Sequence, residues 1–509
     1  MNKGKQILAL ALAALVSVGG IAGCSAKPKA KKDNTAKPVS LSMYLYGSES
    51  PGNKAVMDQI NAKLKKDLNA SLTIKYIDWN DIATKYPLLF ASGEKYDMVY
   101  ISNSTTPTYA TAATQGSLAD ITDLLSQTPT LKSTIPDSTW NQAKVNGKIY
   151  AVPCVYTEYT PYGFVSNDKL LKKYGLGTIN SVAGMEAYMD AVVKNEKFAP
   201  LNGDSNLSQA LYTMFVQLHG SWIQAPGVNS SEPYLVASSA SNYKDIISPV
   251  FTQEFEDFAV LMKQWADKGY WPKDILSAQK ADKDNFNEGN SGAFITHMPD
   301  WTGNFGTLKS SQPGVTTSFF CFATSTKDGV IVKTPGIANS TAISKDCSDP
   351  ARALKVIEKL LTDKSYYDLF QYGIEGKQYE VQNGLATTPA GFNQNKDGFG
   401  FAGWALRNDK LNIPYASEDP RRYQLINDWN KTSIANPFAS FNFDTSNISS
   451  QLAAVSNVDS TMGIQILLGK STTDPKTAVA KYRAALKSAG IDDIINAVKQ
   501  QLGSFTPAK

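Results

Sequence analysis

Several aromatic residues of this sequence stand beside a carboxylate or a guanidinium where short apolar runs end, rather than inside helical stripes. The aromatic residues are Tyr44, Tyr46, Trp79, Tyr156, Trp301 and Trp404. The charged residues of the same set are Asp78, Glu158, Asp300 and Arg407. An aromatic face can stack on the apolar C–H face of a sugar ring, and a neighbouring planar polar group can bind its hydroxyls in pairs. Core packing explains any one of these aromatics equally well. As a set, they predict a carbohydrate-binding site.

The elements before and between these residues predict an α/β fold. The first hundred residues read as strand, helix, strand, helix, strand, in the segments VSLSMYLYG, NKAVMDQINAKLKKDL, ASLTIKYIDW, DIATKYPLLFASGEKYD and MVYIS. Val56, Ile60 and Leu64 form a helical stripe in the second segment. This order is typical of a parallel sheet with helices on its faces, and ligands bind beyond the carboxyl ends of such strands.

Further strands are predicted in GKIYAVPCVY, YGFVS, SGAFIT and SFFCFA, and the last third of the chain is rich in helical patterns. The helix in FEDFAVLMKQWADKG is expected to end at Gly269 and to bury Trp265 in the core. Another helix is expected to begin at Pro350, with Asp349 as its N-cap.

The first residues, MNKGKQILALALAALVSVGGIAGC, have the layout of a secretory signal. Lys3 and Lys5 precede an apolar run that is shorter than the roughly 20 residues of a spanning helix. The ending IAGC resembles the bacterial lipobox, which predicts a signal peptide at 1–23 and acylation of Cys24; a plain signal peptide is the alternative. Residues 24–38 then form the lipidated cysteine and a Lys-rich flexible tether.

Composition excludes several function classes. The chain has 50 Lys and Arg against 46 Asp and Glu, so no basic surface for nucleic acid is expected. Only two histidines are present, which removes most zinc sites, and we predict no metal and no cofactor. Beyond the leader, Cys154, Cys321 and Cys347 are an odd number, for which buried free thiols are the default interpretation, although one disulfide is possible.

Motifs for catalysis or phosphate binding fail on their context. GFGFAG at 398–403 matches a dinucleotide fingerprint by letter but follows FNQNKD, which is no strand. DKDNFNEG, from Asp282, lacks the ligands and the glycine of a calcium loop, and GNSGA is only a near miss to a nucleophile elbow. A carboxylate pair for glycoside hydrolysis stays open, because spacing in sequence does not give distance in space. No catalytic residue is predicted.

Longer segments resemble the extracellular solute-binding proteins of ABC importers, in particular the sugar-binding group that includes maltose-binding protein. They are the lipobox and tether, NKAVMDQINAKL, YDMVYIS, GSLADITDLL, GKIYAVPCVYTEYTPYGFVSNDKLLKKYGL and SGAFITHMPDW. QYGIEGKQYEVQNG, NIPYASEDPRRYQLINDWN and ANPFASFNFDTSNISSQLAAVSNV resemble large Gram-positive lipoproteins often described as aldouronate or oligosaccharide binders. The resemblance implies that Trp301 stacks on sugar and that Glu158 is an acidic sugar ligand.

The resemblance also implies a two-lobed, hinged, type II periplasmic-binding-protein-like fold, each lobe a mostly parallel sheet with helices on both faces. The lobes are expected at 39–153 with 330–373 and at 154–329 with 374–509, with hinges near Pro153, Gly336 and Gly373. The implied protein is a monomeric, non-enzymatic lipoprotein on the extracellular face of a Gram-positive membrane, which captures an oligosaccharide for the importer's permease subunits.

Two alternatives stay open: a binding protein for another solute, such as a peptide, and a cell-surface glycoside hydrolase. Whether the ligand is acidic is also open. Arg407, Arg421 and Arg422 could bind a uronate, but the arginine pair in DPRRYQL could equally form a helix-capping salt bridge.

Overall fold

The computed structural model describes residues 37–225 and 235–507; the predicted leader, Cys24 and nearly all of the tether lie outside these residues. The strands are β1 (Val39–Tyr46), β2 (Ala70–Ile77), β3 (Met98–Ile101), β4 (Lys144–Val145), β5 (Lys148–Ile149), β6 (Ala151–Pro153), β7 (Tyr162–Asn167), β8 (Ile223–Gln224), β9 (Val236–Ala237), β10 (Ile246–Ile247), β11 (Ala293–His297), β12 (Thr317–Cys321), β13 (Ser340–Ile343), β14 (Glu380–Gln382) and β15 (Leu385–Thr387). The α-helices are α1 (Asn53–Leu68), α2 (Ile82–Ala91), α3 (Tyr109–Thr114), α4 (Pro129–Thr134), α5 (Asp137–Gln142), α6 (Asp168–Lys173), α7 (Val182–Asn195), α8 (Leu207–His219), α9 (Gln253–Lys268), α10 (Asp282–Asn287), α11 (Met298–Gly303), α12 (Phe305–Ser311), α13 (Pro350–Thr362), α14 (Lys364–Tyr372), α15 (Gln394–Asp397), α16 (Arg421–Thr432), α17 (Ser449–Val458), α18 (Ile464–Leu467), α19 (Pro475–Ser488) and α20 (Ile491–Gly503).

Five strands form the first sheet, in the order β2-β1-β3-β13-β6. β1 runs parallel to β2 and β3, which confirms the alternating strand–helix pattern of the first hundred residues. β13 runs antiparallel to both β3 and β6, so a strand from much later in the chain completes this sheet. The carboxyl ends of β1, β2 and β3 therefore lie at one edge, together with the start of β13 and the end of β6.

Local signals set the ends of several helices where the sequence predicts them. α9 ends at Gly269, whose φ of 80° is one that glycine adopts without strain. α13 begins at Pro350, and the Asp349 carboxylate accepts a hydrogen bond from the Arg352 backbone N–H at 3.0 Å. The predicted stripe of α1 is buried against the first sheet.

The second sheet has the order β11-β7-β12, and both of its pairings are antiparallel. The first sheet is mostly parallel, as the sequence led us to expect, since β2, β1, β3 and β6 run in the same direction. The expectation is wrong for the second sheet. Short buried runs such as Tyr162–Asn167 do not reveal direction, which is set by where the chain re-enters the sheet.

The buried residues form two large cores. One surrounds the first sheet and includes residues from Leu41 to Val155, from Ile337 to Phe370, and Phe401, Ala405 and Leu406. The other is built by α7, α8, α9 and the C-terminal helices. Trp265 is fully buried in it, as predicted.

The described cysteines, Cys154, Cys321 and Cys347, are buried free thiols, in agreement with the default interpretation of the sequence. Burial raises the pKa of the Cys154 thiol to about 12, so it stays protonated at neutral pH. Among the described residues, no helix combines the length and the apolar character needed to span a bilayer.

Candidate functional site

A cavity of about 1290 Å³ opens at the carboxyl ends of β1, β2 and β3. It is larger than the roughly 300–1,000 Å³ of a site for a drug-sized ligand. Further parts of its wall come from residues 156–160, from the end of β11 with α11 and α12, from residues 334–339 and from residues 371–423. Seven of the ten sequence-predicted site residues line it: Tyr46, Trp79, Tyr156, Glu158, Asp300, Trp404 and Arg407.

The first aromatic wall of the cavity consists of Tyr46, Trp79, Tyr100 and Trp404. The Trp404 ring lies 4.6 Å from Tyr100 and 6.1 Å from Trp79, measured between ring centroids. Tyr46 packs edge-on against Tyr100 at 5.0 Å and Trp79 at 5.7 Å. Trp79 remains 59% exposed, so this wall presents an open indole to a ligand.

The second aromatic wall consists of Tyr372, Tyr379 and Tyr415, none of which the sequence analysis identified. Tyr372 lies 5.3 Å from Tyr379 and 5.2 Å from Tyr415 between ring centroids. Its hydroxyl donates to Asn412 Oδ1 at 2.8 Å, which holds the ring in place. Tyr372 is the last residue of α14, whereas Tyr379 and Tyr415 lie outside the helices and strands, so no common sequence pattern would have grouped them.

The segment Phe399–Trp404, which contains most of the GFGFAG sequence, also lines the cavity. The Asn53 side chain fixes it by donating to the Gly400 carbonyl at 2.9 Å and accepting from the Gly400 N–H at 3.0 Å. A Cβ on Gly403 would lie 2.1 Å from Gln371 Oε1, so this glycine permits the close packing of the loop.

Glu158 is the centre of a buried ion-pair network in the cavity wall. Its carboxylate accepts from Arg407 Nη1 at 2.8 Å and from Arg422 Nη2 at 3.0 and 3.1 Å. Arg407 Nε donates in turn to Asp409 Oδ1 at 2.6 Å. Burial raises the pKa of Glu158, and the two guanidinium groups oppose that effect.

The arginine pair of DPRRYQL divides between two roles. Arg421 forms the capping salt bridge of α16: its Nε donates to both Asp419 oxygens at 2.9 and 3.0 Å. Arg422 instead points to Glu158 and lines the cavity. The capping interpretation is therefore confirmed for Arg421.

Asp300 lines the cavity with its charge already paired. It accepts from Lys283 Nζ at 2.7 Å and from Thr296 Oγ1 at 2.7 Å. Burial alone would raise the pKa of Asp300, but Lys283 and these hydrogen bonds hold it below its usual value. Burial lowers the pKa of the neighbouring His297, so this ring is neutral at pH 7.

Two buried polar atoms of the wall have no hydrogen-bond partner within the described residues: Tyr46 Oη and Gln378 Nε2. Burial raises the pKa of the Tyr46 phenol, which therefore remains a hydrogen-bond donor. An unpaired buried donor costs about 1–3 kcal/mol, and a polar ligand in the cavity would remove this cost.

Three predicted site residues, Tyr44, Asp78 and Trp301, do not line this cavity. The Tyr44 hydroxyl donates to Glu94, and its ring lies below Lys75 Nζ at 5.0 Å. Asp78 accepts from Ser48 Oγ at 2.7 Å and caps the turn that holds Trp79.

Trp301 is only 4% exposed, and its ring is covered on both sides. Phe319 stacks on it at 4.8 Å, and the Arg421 guanidinium lies 4.6 Å from its centroid. Its indole N–H donates to Thr317 Oγ1 at 2.9 Å. In this conformation the ring offers no free face to a sugar, contrary to the expectation from the sequence.

No group of three or more His, Cys, Asp or Glu side chains in the described part of the chain could hold a metal ion.

Comparisons with known proteins agree with this architecture. The curated carbohydrate ABC transporter substrate-binding protein of Streptococcus pneumoniae serotype 4 is 24% identical and aligns over 99% of this chain and 97% of its own length. The solved N-glycan transport solute binding protein NgtS of Streptococcus pneumoniae superposes with a TM-score of 0.72 at 20% identity, over 92% of this chain and 98% of that one. The alginate-binding protein AlgQ2, solved without calcium ion, reaches 0.65 at 17% identity, over 93% and 100%. The fold is the type II periplasmic-binding-protein-like α/β fold.

Two family models match the chain. One, a domain of unknown function, matches residues 437–507. The other describes bacterial extracellular solute-binding proteins and matches residues 47–367, which is more than half of the chain. The protein therefore belongs to the bacterial extracellular solute-binding protein family.

Proposed function

We propose that this protein captures an oligosaccharide in the cavity at the carboxyl ends of β1, β2 and β3 and delivers it to an ABC importer, without chemical change. The observation that carries the proposal is the pairing of two aromatic walls with unpaired buried polar atoms in a cavity of about 1290 Å³. Aromatic faces suit the C–H faces of sugar rings, and the polar atoms suit hydroxyls. Relatives named as carbohydrate or N-glycan binding proteins support the same function.

The two large cores correspond, in this proposal, to two lobes that close on the ligand. Residues 39–153 with 330–373 and residues 154–329 with 374–509 are the proposed lobes, with hinges near Pro153, Gly336 and Gly373. The match of cores to lobes is not complete, because Val155, Phe401, Ala405 and Leu406 fall in the range of the second lobe but pack in the core of the first sheet. A ligand that contacts both lobes stabilises the closed form through its differential contacts alone. The importer's permease subunits would then distinguish the closed form from the open one.

The leader and Cys24 support a proposal about location. Cleavage before Cys24 and acylation of this residue would hold a monomer on the extracellular membrane face of a Gram-positive bacterium, with residues 24–38 as the tether. Mass spectrometry of the expressed protein tests the anchor. We expect an acylated Cys24 peptide, and a protein that is cleaved elsewhere and carries no acyl chain would contradict the proposal.

Binding is tested by calorimetric titration with a panel of oligosaccharides. Trp79→Ala is expected to weaken binding of a true ligand by roughly tenfold or more, because it removes the most exposed ring of the first aromatic wall. Leu276→Ala is the matched control, since Leu276 is also exposed but does not line the cavity. If the two variants had the same affinity for the ligand, the ligand would not contact Trp79 and would bind at another site.

Chromatography of the same mixtures after long incubation tests the absence of chemistry. The proposal predicts that every bound oligosaccharide is recovered intact. Shortened products would favour a glycoside hydrolase, and saturable binding of peptides without sugar binding would favour another solute.

Small-angle X-ray scattering tests the closing motion. A saturating ligand is expected to lower the radius of gyration of the wild-type protein, and the Trp79→Ala variant should need roughly tenfold more ligand for the same change. An unchanged radius with a tightly bound ligand would argue against two closing lobes.

A further inference from the structure

The charged side chains that line the cavity are balanced. Three carboxylates, from Glu158, Asp300 and Glu418, accompany three cations, from Lys309, Arg407 and Arg422. Most of them form ion pairs with one another or with residues next to the wall. These ion pairs decide whether the cavity favours a charged or an uncharged ligand.

Both guanidinium groups of the cavity are occupied by carboxylates of the protein. Arg407 lies between Glu158, at 2.8 Å, and Asp409, at 2.6 Å. Arg422 contacts both Glu158 oxygens, and its Nη1 lies 3.8 Å from Glu418 Oε1. Each guanidinium thus faces two carboxylates, which leaves no net positive charge for an anionic ligand.

The third cation is in a different position. Lys309 is exposed on α12, and no ion pair of this lysine is found within residues 37–225 and 235–507. Water screens an exposed ammonium group, so it contributes little to the selection of a ligand. Lys283 does not line the cavity and is paired with Asp300.

A carboxylate or sulfate group that entered the buried part of this cavity would lose its water without gaining a buried cation that is free of a protein carboxylate, which is unfavourable. Uncharged hydroxyl and acetamido groups lose less hydration free energy and can pair with polar atoms of the wall. Tyr46 Oη and Gln378 Nε2 are buried, unpaired and part of the wall. Both atoms are hydrogen-bond donors, so a hydroxyl or acetamido oxygen can pair with them without bringing a charge into the cavity.

We infer that the cavity selects uncharged oligosaccharides and rejects those that carry uronate or sulfate groups. The inference rests on the proposed function, since it assumes a carbohydrate ligand, and it answers a question that the arginines of the sequence left open.

The first test is a titration series with neutral glycans, such as mannose–N-acetylglucosamine oligosaccharides, and with oligouronates of the same lengths, at physiological salt. At least one neutral glycan is expected to bind about 100-fold more tightly than any oligouronate of its length. An oligouronate that binds within tenfold of the best neutral glycan would overturn the inference and leave the proposed function intact. If no member of either series bound, the proposed function itself would fail.

The second test removes the charge that neutralises the arginines. In Glu158→Gln, Arg407 and Arg422 lose their shared carboxylate, so the ratio of oligouronate to neutral-glycan affinity is expected to rise at least tenfold. Glu418→Gln should change the ratio in the same direction by a smaller factor, and it serves if Glu158→Gln does not fold. A purely structural role for these carboxylates would weaken both ligand classes equally and would contradict the inference.

Asp346→Asn is the matched control for these variants. It removes one negative charge from an exposed carboxylate that pairs with Lys345 and does not line the cavity. Its affinity ratio is expected to equal that of the wild-type protein. An equal rise in the control would show that net charge, rather than the cavity, sets the preference, and would also overturn the inference.

Discussion

Trp79 and Trp301 both follow predicted strand ends beside an aspartate, yet they occupy opposite environments. The protein itself supplies every partner of Trp301: Phe319 and Arg421 cover its faces, and Thr317 accepts its N–H. Trp79 has neighbours only on one side, in Tyr46 and Trp404, and remains mostly exposed. An aromatic residue is therefore a candidate for ligand binding when the fold leaves its surface uncovered, whatever its position relative to a strand.

The largest expected effect is a loss of stability on substitution of Trp301, the buried tryptophan. Trp301→Ala should lower the free energy of unfolding by about 3–5 kcal/mol, because it empties a packed space and removes the partner of Phe319. Urea denaturation measures this loss. A variant with wild-type stability and lost sugar binding would instead show that Trp301 reaches the ligand.

A half-buried carboxylate at the start of α10 gives the next effect. α10, whose Phe286 shares a core with Trp301, begins at Asp282, and burial raises the pKa of this carboxyl group to about 7. Because the folded-state pKa lies above the ordinary 3.8, its contribution to stability is fully present below about pH 4 and is lost as the pH rises through about 7.

Asp282→Asn should therefore remove a pH-dependent loss of stability on the order of a few kcal/mol between pH 4 and pH 8. Thermal unfolding of both proteins across this range measures it. Parallel pH profiles for the two proteins would contradict the prediction. The Asn variant keeps only one acceptor oxygen for the Ile295 and Lys283 N–H groups, which bond to Oδ2 and Oδ1 of Asp282, so a constant loss of stability at every pH is expected in addition.

A smaller loss is expected where the chain turns toward the second aromatic wall. Gly373 has a φ of 85°, and an added Cβ would lie 2.8 Å from Gln378 Cβ. Gly373→Ala should cost about 1–3 kcal/mol and also weaken ligand binding, since Gln378 lines the cavity. Gly376→Ala separates the two causes, because Gly376 has a similar φ of 77° but open space around it. Equal effects of both changes on unfolding and binding would exclude the Gln378 contact as the cause.

The smallest change in stability is expected on substitution of Trp79, the exposed tryptophan. Trp79→Ala should alter the free energy of unfolding by less than about 1 kcal/mol, because most of the ring already contacts water. Urea denaturation beside the Trp301 variant measures the contrast directly. A loss as large as that of Trp301→Ala would mean that Trp79 is a core residue and would remove the basis of the proposed first aromatic wall.

Local sequence determined much of the fold. The sequence predicted the elements that depend on residues close together in the chain. These are β1, α1, the end of α9 at Gly269 and the cap of α13 at Asp349. Tyr46 and Trp79 line the cavity for the related reason that the carboxyl ends of parallel strands meet at one edge. Asp300 reaches it from α11, which follows an antiparallel strand, and Trp404 and Arg407 reach it from a segment without a strand.

The rest could not be predicted because it depends on distant contacts. Arg421, which covers Trp301, is 120 positions away in the sequence, and the Glu158 network joins three separate segments. The second aromatic wall joins Tyr372, at the end of α14, to Tyr379 and Tyr415, which lie outside the helices and strands. The antiparallel directions of β7, β11 and β12 likewise follow from the path of the whole chain.

The position of β13 between β3 and β6 has a consequence for biosynthesis. β3 and β6 are complete once residue 153 has been made, but the strand that joins them begins at residue 340. Because translation proceeds at about 5–20 residues per second, the nascent chain carries two unsatisfied β-edges for many seconds. A factor that keeps the emerging polypeptide extended would therefore be needed most during that interval, and a fragment that stops before residue 340 should aggregate.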